Sequence, residues 1–475
     1  MNAYSTRFAR GSSILLLLGS ASCRAAHADP NAADASATDG ATLPGDASCD
    51  IPAIGPTDRV YSADQTSNTV TVIDPSRNVV LGTIALGKSR LGGVLGPAYF
   101  GQIDTHGLGF ARDGKTLDVV NVTTNSAMLI DTASNAVKDT FYVGRAPHEG
   151  FIAPDGKTLW VAVRGEDYVC VLDIGSRVEV QRIKTAKGAS KVVFSPDGHL
   201  AFVSHVGAAE VDVVDVATRT VATRIPVSEI FSADLAISPE GDEVWVGHKK
   251  AGRVAIIDAR ARTLLATLDT GPETNHPNFI TKHDGRFAYV TVGGTNETLA
   301  YRRNGATPDL VARIANHGSV PHGIWPSPDG TRLYVVLEHS DAMDVIDTDA
   351  LAVVATLHIG QEPQAVVYVP GAAPAGSGDG LVRQGLDRRV APFDVSVTNA
   401  AGKAAVTVRE LETQDEVDVE LAAAIPGAAY VVTAERGSFR APLGDIRADE
   451  RGTGQLLAFT RYFGVFDRVV VEKKP

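Results

Sequence analysis

At 475 residues the chain exceeds one ordinary domain of about 100–200 residues, although a repeat architecture builds larger single units. Hydrophobic residues at 44% and charged residues at 21% exclude a chain that is disordered overall. A formal net charge of −12 excludes a global basic footprint for nucleic acid or anionic lipid, and three cysteines exclude a disulfide framework.

Residues 1–28 carry Arg7 and Arg10, then the apolar run Ile14-Leu15-Leu16-Leu17-Leu18, then small residues up to Ala26-His27-Ala28. This is the layout of a signal peptide, so a secreted or periplasmic protein is expected. The run is too short to cross a bilayer, and no later stretch approaches the ~20 apolar residues of a membrane helix. Cys23, behind Ser20-Ala21-Ser22, resembles a lipid-attachment site, with Ser20 where Leu is usual. Cleavage near Ala28 without a lipid anchor is the alternative. Residues 29–55, rich in Ala, Asp, Ser, Thr, Pro and Gly, read as a flexible linker. Of the later cysteines, Cys49 has no evident partner, and Cys170 lies in the apolar run Tyr168-Val-Cys-Val-Leu172, where a buried, inert thiol is expected.

From residue 57 to 370 the sequence repeats itself. One marker is an apolar pair ending in an acid, at Asp74, Asp131, Asp173, Asp215, Asp258 and Asp347, with Arg302 in a degenerate copy; the spacings are 57, 42, 42, 43, 44 and 45 residues. A second marker is an acid-Gly turn at Asp113, Asp155, Asp197, Glu240, Asp284 and Asp329. Asp-Gly between alternating apolar runs marks a hairpin, because the turn needs positive φ. Each repeat therefore predicts four antiparallel strands, which is one propeller blade. The first repeat starts at Arg59-Val-Tyr-Ser without an inner strand, and Ala365-Val-Val-Tyr-Val is an inner strand with no blade after it. Joined, they complete seven blades and leave no open edge.

The Ser-Pro-Asp-Gly turns, the Tyr-Val-Val and Trp-Val-Ala strands and the Val-Ile-Asp strand resemble YVTN-type β-propeller repeats over residues 57–370. The resemblance implies the fold and leaves function open, since such propellers include envelope proteins and relatives of cofactor-binding and lactone-hydrolysing propellers. Residues 371–385 form a Gly/Ala/Pro/Ser linker, and residues 386–475 predict a small β-sandwich domain from short strands around Val395, Val406, Val417, Tyr430 and Val469. The predicted fold class is thus all-β, a seven-bladed propeller with a small C-terminal sandwich-like domain.

The start of each inner strand lines the central channel on one face. His106, His148 and His322 stand there seven residues before the turn acid, with His276 one place further back and Ser190, Ala233 and Gln364 in the other blades. Imidazoles ligate transition metals and haem iron, so these four histidines are the candidate metal or haem ligands. The alternative is that they hydrogen-bond neighbouring blades. Loops after the second strands add Arg164, Glu166, His205, His248 and His339 to the expected ligand face. The insertion at residues 87–105 adds Tyr99, Phe100 and Asp104.

No nucleophile elbow, zinc-protease motif, phosphate loop or haem-attachment motif occurs. The first reading is therefore a non-enzymatic envelope scaffold that binds a protein or small molecule on its His-bearing face. The second is a metal- or haem-binding propeller. The third is a metal-assisted lactonase, with Asp104, Glu149, Glu166 and Glu338 as the available carboxylates.

Overall fold

The computed structural model describes residues 53–87, 103–386, 394–398, 402–410, 415–460 and 466–475. The leader-like segment, Cys23, Cys49, nearly all of the 29–55 linker, and Tyr99 and Phe100 of the insertion lie outside the described residues.

Six four-stranded antiparallel sheets follow one another in chain order, and a seventh is assembled from Arg59–Asp64, Thr69–Asp74, Val79–Ala85 and the distant strand Pro363–Val369. The fold is a seven-bladed β-propeller, numbered here from that composite blade. Inner strands of blades 2 to 7 are Thr105–Phe110, Pro147–Ile152, Ala189–Phe194, Ser232–Ile237, Thr274–Lys282 and Pro321–Pro326.

Both sequence markers have a local physical cause. Gly114, Gly156, Gly198, Gly241 and Gly330 take φ between 66° and 74°, the region the tight turn between inner and second strand requires. The acid of the other marker ends the third strand and ties the next turn: Asp173 Oδ1 accepts from the Ser176 amide and hydroxyl, both at 2.7 Å, and Asp74, Asp131 and Asp215 repeat the arrangement. Arg302 cannot accept, and in blade 6 it instead donates to the Asp284 carbonyl at 2.8 Å.

The middle strands are buried on both faces, as in Thr158–Val163 and Arg59–Asp64, because each sheet packs between two others. Aromatics fill the spaces between blades: Trp160 packs edge-on to Phe194, and Trp245 lies between Phe279 and Tyr301. Cys170 is buried and free, with burial pushing its thiol up to about 12, so it is inert.

Closure of the ring rests on a polar clasp beside the composite blade. Asp58 accepts from the Gly55 and Gly371 amides, each at 2.8 Å, and from the Tyr368 hydroxyl at 2.6 Å. Arg59, buried, donates to the carbonyls of Pro56, Asp58 and Pro374 at 2.9, 2.7 and 2.9 Å. The segment that follows the last inner strand is laid against the outside of blades 1 and 2: Val382 bridges to Thr83, and the Thr132 hydroxyl and Asn135 amide donate to the Ala372 and Asp379 carbonyls.

The C-terminal domain packs two sheets face to face. One is Asp394–Thr398, Arg468–Lys473, Ala429–Arg436 and Phe439–Arg447; the other is Lys403–Glu410, Asp415–Ala422 and Gly454–Thr460. Val417, Val419, Tyr430, Val432, Val469 and Val471 form its core.

Removing the shared acceptor should loosen the closure. Asp58→Ala is expected to destabilise the propeller by about 2–4 kcal/mol, against about 1 kcal/mol for Tyr368→Phe, which deletes a single bond. Urea unfolding followed by far-UV circular dichroism measures both, and equal midpoints for the two variants would refute the clasp.

Candidate functional site

Every inner strand enters the channel in the same irregular way. The preceding residue has positive φ at Asp104, Ala146, Gly188, Phe231, Glu273, Val320 and Glu362, and the ladder to the second strand then slips by a bulge. His106, His148, His276 and His322 all fall in these bulged positions, out of the regular pairing. A bulge re-aims side chains, and here it brings all four imidazoles to one cavity. Glycines follow because inner strands nearly touch: a Cβ on Gly107 would lie 2.5 Å from the His148 carbonyl oxygen, and one on Gly323 2.7 Å from that of Gln364.

The cavity, of about 460 Å³, is lined by the four histidines together with Arg164, Phe231, Asp234, Lys249, Lys250, Glu273, Asn275 and Gln364. The imidazoles stand in two pairs, His106 with His148 at 4.2 Å between ring centroids and His276 with His322 at 4.5 Å. His148 Nδ1 lies 3.0 Å from the Ser190 carbonyl oxygen and His322 Nδ1 2.8 Å from that of Gln364. A carbonyl only accepts, so Nδ1 carries the proton in both rings and Nε2 is the free base. His276 Nδ1 is set likewise against Asp234 Oδ2 at 3.0 Å. These bonds run between blades, so the interblade alternative holds for Nδ1 while Nε2 is left over. His106 Nδ1 is buried with no partner among the described residues.

Beneath the histidines lies a buried charge cluster. Lys191 Nζ sits 3.0 Å from Glu149 Oε2 and 2.6 Å from Asp234 Oδ2. Burial works against the Lys191 ammonium, but the two carboxylates outweigh it and hold its pKa above the ordinary lysine value. Burial raises the Asp234 carboxyl well above the usual range, against the pull of Lys191. Burial also drives His106, His148 and His276 well below 6.5, reinforced at His106 and His148 by Arg164 and at His276 by His322; it takes His322 to about 4. The site presents neutral imidazoles at neutral pH.

One ligand atom each from His106, His148 and Glu149 lie within 4.8 Å of one another, and so do those of Glu149, Asp234 and His276. The expected four-histidine set is thus divided, with Glu149 common to both groups and His322 in neither. Lys191 and Asp234 escaped sequence reasoning. The signal was present as charged residues inside the apolar inner strands Ala189–Phe194 and Ser232–Ile237, one place after the aligned channel position.

Arg164 lines the cavity, but other residues expected on that surface do not. His205 and His248 end their second strands, fully buried, with Nδ1 near the Glu210 carbonyl and the Ser232 hydroxyl at 3.0 and 3.1 Å. Glu166 accepts from the Arg145 amide. Asp104 accepts from the Thr123 hydroxyl, and its amide donates to Asn68 Oδ1 at 3.0 Å, joining blades 1 and 2. His339 faces the C-terminal domain, 3.9 Å from Asp418 Oδ2. At the other end of the channel Trp325 stacks on Phe151 at 6.2 Å and meets Phe110 edge-on.

No family model matches the sequence, and no curated protein matches it. Solved structures do. They include hydrazine synthase of Kuenenia stuttgartiensis, at 22% identity over 60% of this chain and 96% of that one, TM-score 0.52. A functionally unknown protein from Desulfotomaculum acetoxidans aligns at 13% identity, 65% and 98% coverage and TM-score 0.54. The periplasmic gluconolactonase of Pseudomonas aeruginosa aligns at 20% identity, 66% and 99% coverage and TM-score 0.52. At these identities the likeness is one of fold.

Two outcomes are expected. The imidazoles are neutral in the fold and protonate near 6.5 once unfolded, so the unfolded chain binds more protons below that pH. Their contribution is complete above 6.5 and lost as pH falls towards 4, so thermal midpoints should drop over that window and His322→Gln should flatten the slope; an unchanged slope contradicts a neutral His322. Separately, Lys191→Met leaves two buried carboxylates facing each other and should destabilise by about 3–5 kcal/mol, partly recovered in Lys191→Met/Asp234→Leu. Denaturant titration of the single and double variants reads this, and no recovery in the double would show that the three charges do not act together.

Proposed function

We propose that this chain is an exported, YVTN-type propeller scaffold that binds a small, oxygen-rich anion in the His-lined cavity without transforming it. The observation that carries this reading is Arg164. Its guanidinium lines the cavity, burial lowers its pKa against the pull of the Glu149 carboxylate, and it makes no hydrogen bond or contact ion pair among the described residues. A desolvated, unpaired guanidinium favours a carboxylate or phosphate oxygen. Lys249 adds charge, Lys250 lies over the Phe231 ring at 4.4 Å, and the imidazole Nε2 atoms accept hydroxyl groups. Export is supported by the leader-like N-terminus, and among the described residues no helix is long and apolar enough to cross a membrane.

The second reading, a metal- or haem-linked propeller, is favoured by the Nδ1 bonds that leave Nε2 as free base. Lactone hydrolysis is the enzymatic alternative, suggested by the neighbour named a gluconolactonase.

Calorimetric titration of metal-free protein with gluconate, citrate and inorganic phosphate tests the proposal. At least one should bind, and Arg164→Ala should weaken it by about 10–100-fold, as loss of a charged hydrogen bond does. Absence of binding across the panel, or affinity indifferent to Arg164, would remove the anion reading. A Soret band on adding haem, or turnover of gluconolactone, would replace it with the corresponding alternative.

A further inference from the structure

Within this cavity the buried groups are not equally satisfied. Among the described residues His106 Nδ1, Asp234 Oδ1 and Asn275 Oδ1 in its lining, and Glu149 Oε1 beneath it, are buried without a partner, and His106 and Glu149 are 7% and 1% exposed. An unpaired buried polar atom is costly, so His106 Nδ1 and Glu149 Oε1 point to a group that satisfies both. The same two residues, with His148, form one of the two sets whose ligand atoms converge within 4.8 Å. We propose that His106, His148 and Glu149 form a site for one divalent first-row transition cation, its remaining coordination positions open to the cavity. The proposal deepens the cavity reading and relies on it only for access from solvent.

The surroundings are those of a ligand set. His148 donates Nδ1–H to the Ser190 carbonyl at 3.0 Å, which fixes the tautomer and leaves Nε2 as its donor atom. Ser190 is itself anchored, its hydroxyl donating to the Ala233 carbonyl at 2.7 Å. Lys191 holds Glu149 through Oε2 at 3.0 Å, which leaves Oε1 for a cation. Two imidazoles and one carboxylate, drawn from adjacent blades, suit zinc, cobalt or ferrous iron rather than magnesium or calcium, which take oxygen ligands.

The competing set of Glu149, Asp234 and His276 already holds a cation, although Asp234 Oδ1 is itself buried without a partner among the described residues. The Lys191 ammonium bonds Glu149 Oε2 and Asp234 Oδ2, and His276 Nδ1 bonds Asp234 Oδ2 at 3.0 Å. A metal ion there would lie beside an ammonium that both of its carboxylates already bind, whereas the set of His106, His148 and Glu149 shares only one carboxylate with Lys191.

The test uses the full chain, untagged, purified without chelators and dialysed metal-free, titrated with Co²⁺. Visible ligand-field absorption reports coordination, and competition with a chromophoric chelator gives affinity. One Co²⁺ per chain is expected. His106→Ala and His148→Ala should each weaken binding by at least about 100-fold, Glu149→Gln by at least about tenfold, and His276→Ala by no more than about threefold. His106→Ala is the decisive variant, because its Nδ1 makes no hydrogen bond to lose; its thermal midpoint checks that it folds. No stoichiometric Co²⁺ in folded wild type, or equal losses in His106→Ala and His276→Ala, would overturn the assignment. Arg164 acts on all three ligands as a repelling charge for a metal ion, so Arg164→Ala should leave Co²⁺ binding as tight or tighter while it weakens the anion, and the cation and anion readings succeed or fail separately.

Discussion

A propeller is a ring of sheets, and each sheet is buried on both sides only if the ring has no gap. In this chain that condition rests on pairing between Arg59–Asp64 and Pro363–Val369, strands about as far apart in the repeat region as the sequence allows. The pairing unites two cores, one around Tyr61, Val119 and Val367 and one around Val60, Tyr334 and Tyr368. Asp58 and Arg59 stand beside this seam and bind the chain entering the ring, the chain leaving it and Tyr368 together. Polar groups serve here because the chain ends are irregular backbone whose amides and carbonyls need partners when buried.

The ring also dictates where chemistry can occur. Seven inner strands converge on one axis, so residues from different blades meet across the channel, the histidines at the strand starts and Trp325 with Phe110 and Phe151 towards the strand ends. Each start bulges, so residues that regular alternation would send between blades are turned into the opening. The result is a graded channel. Neutral imidazoles with Arg164, Lys249 and Lys250 form one mouth, a buried Glu149–Lys191–Asp234 cluster the middle, and aromatic rings of Phe110, Phe151 and Trp325 the far end. The charge cluster is costly to bury and gains little over an apolar substitute, which makes specificity at the mouth a better account of it than stability.

How much of this was legible from sequence depends on the range of the interaction concerned. The blades were legible because their signals are local. An Asp-Gly turn needs positive φ at the glycine, a strand-end aspartate caps the turn within three residues, and a core strand buried on both faces reads as a continuous apolar run. Spacings near 43 residues then force four strands per repeat, and the unpaired strands at the two ends force closure. His106, His148 and His322 were found because they occupy equivalent positions in this repeat, and His276 because it stands one place from that position.

Tertiary structure alone decided what those histidines do. His205 and His248 share the residue type and the expected face, yet are buried against Glu210 and Ser232 of their own blades where they end their strands, whereas the four at bulged positions reach the cavity. Lys191 and Asp234 lie 43 residues apart and become partners only when neighbouring blades are brought edge to edge. Sequence alone determined the repeat, the closure and the residue types available at the channel mouth, since each follows from hydrogen bonds and sterics within a few residues. It could not determine which nitrogen of a ring is free or which carboxylate oxygen is held, because those depend on distances between blades that no local rule encodes.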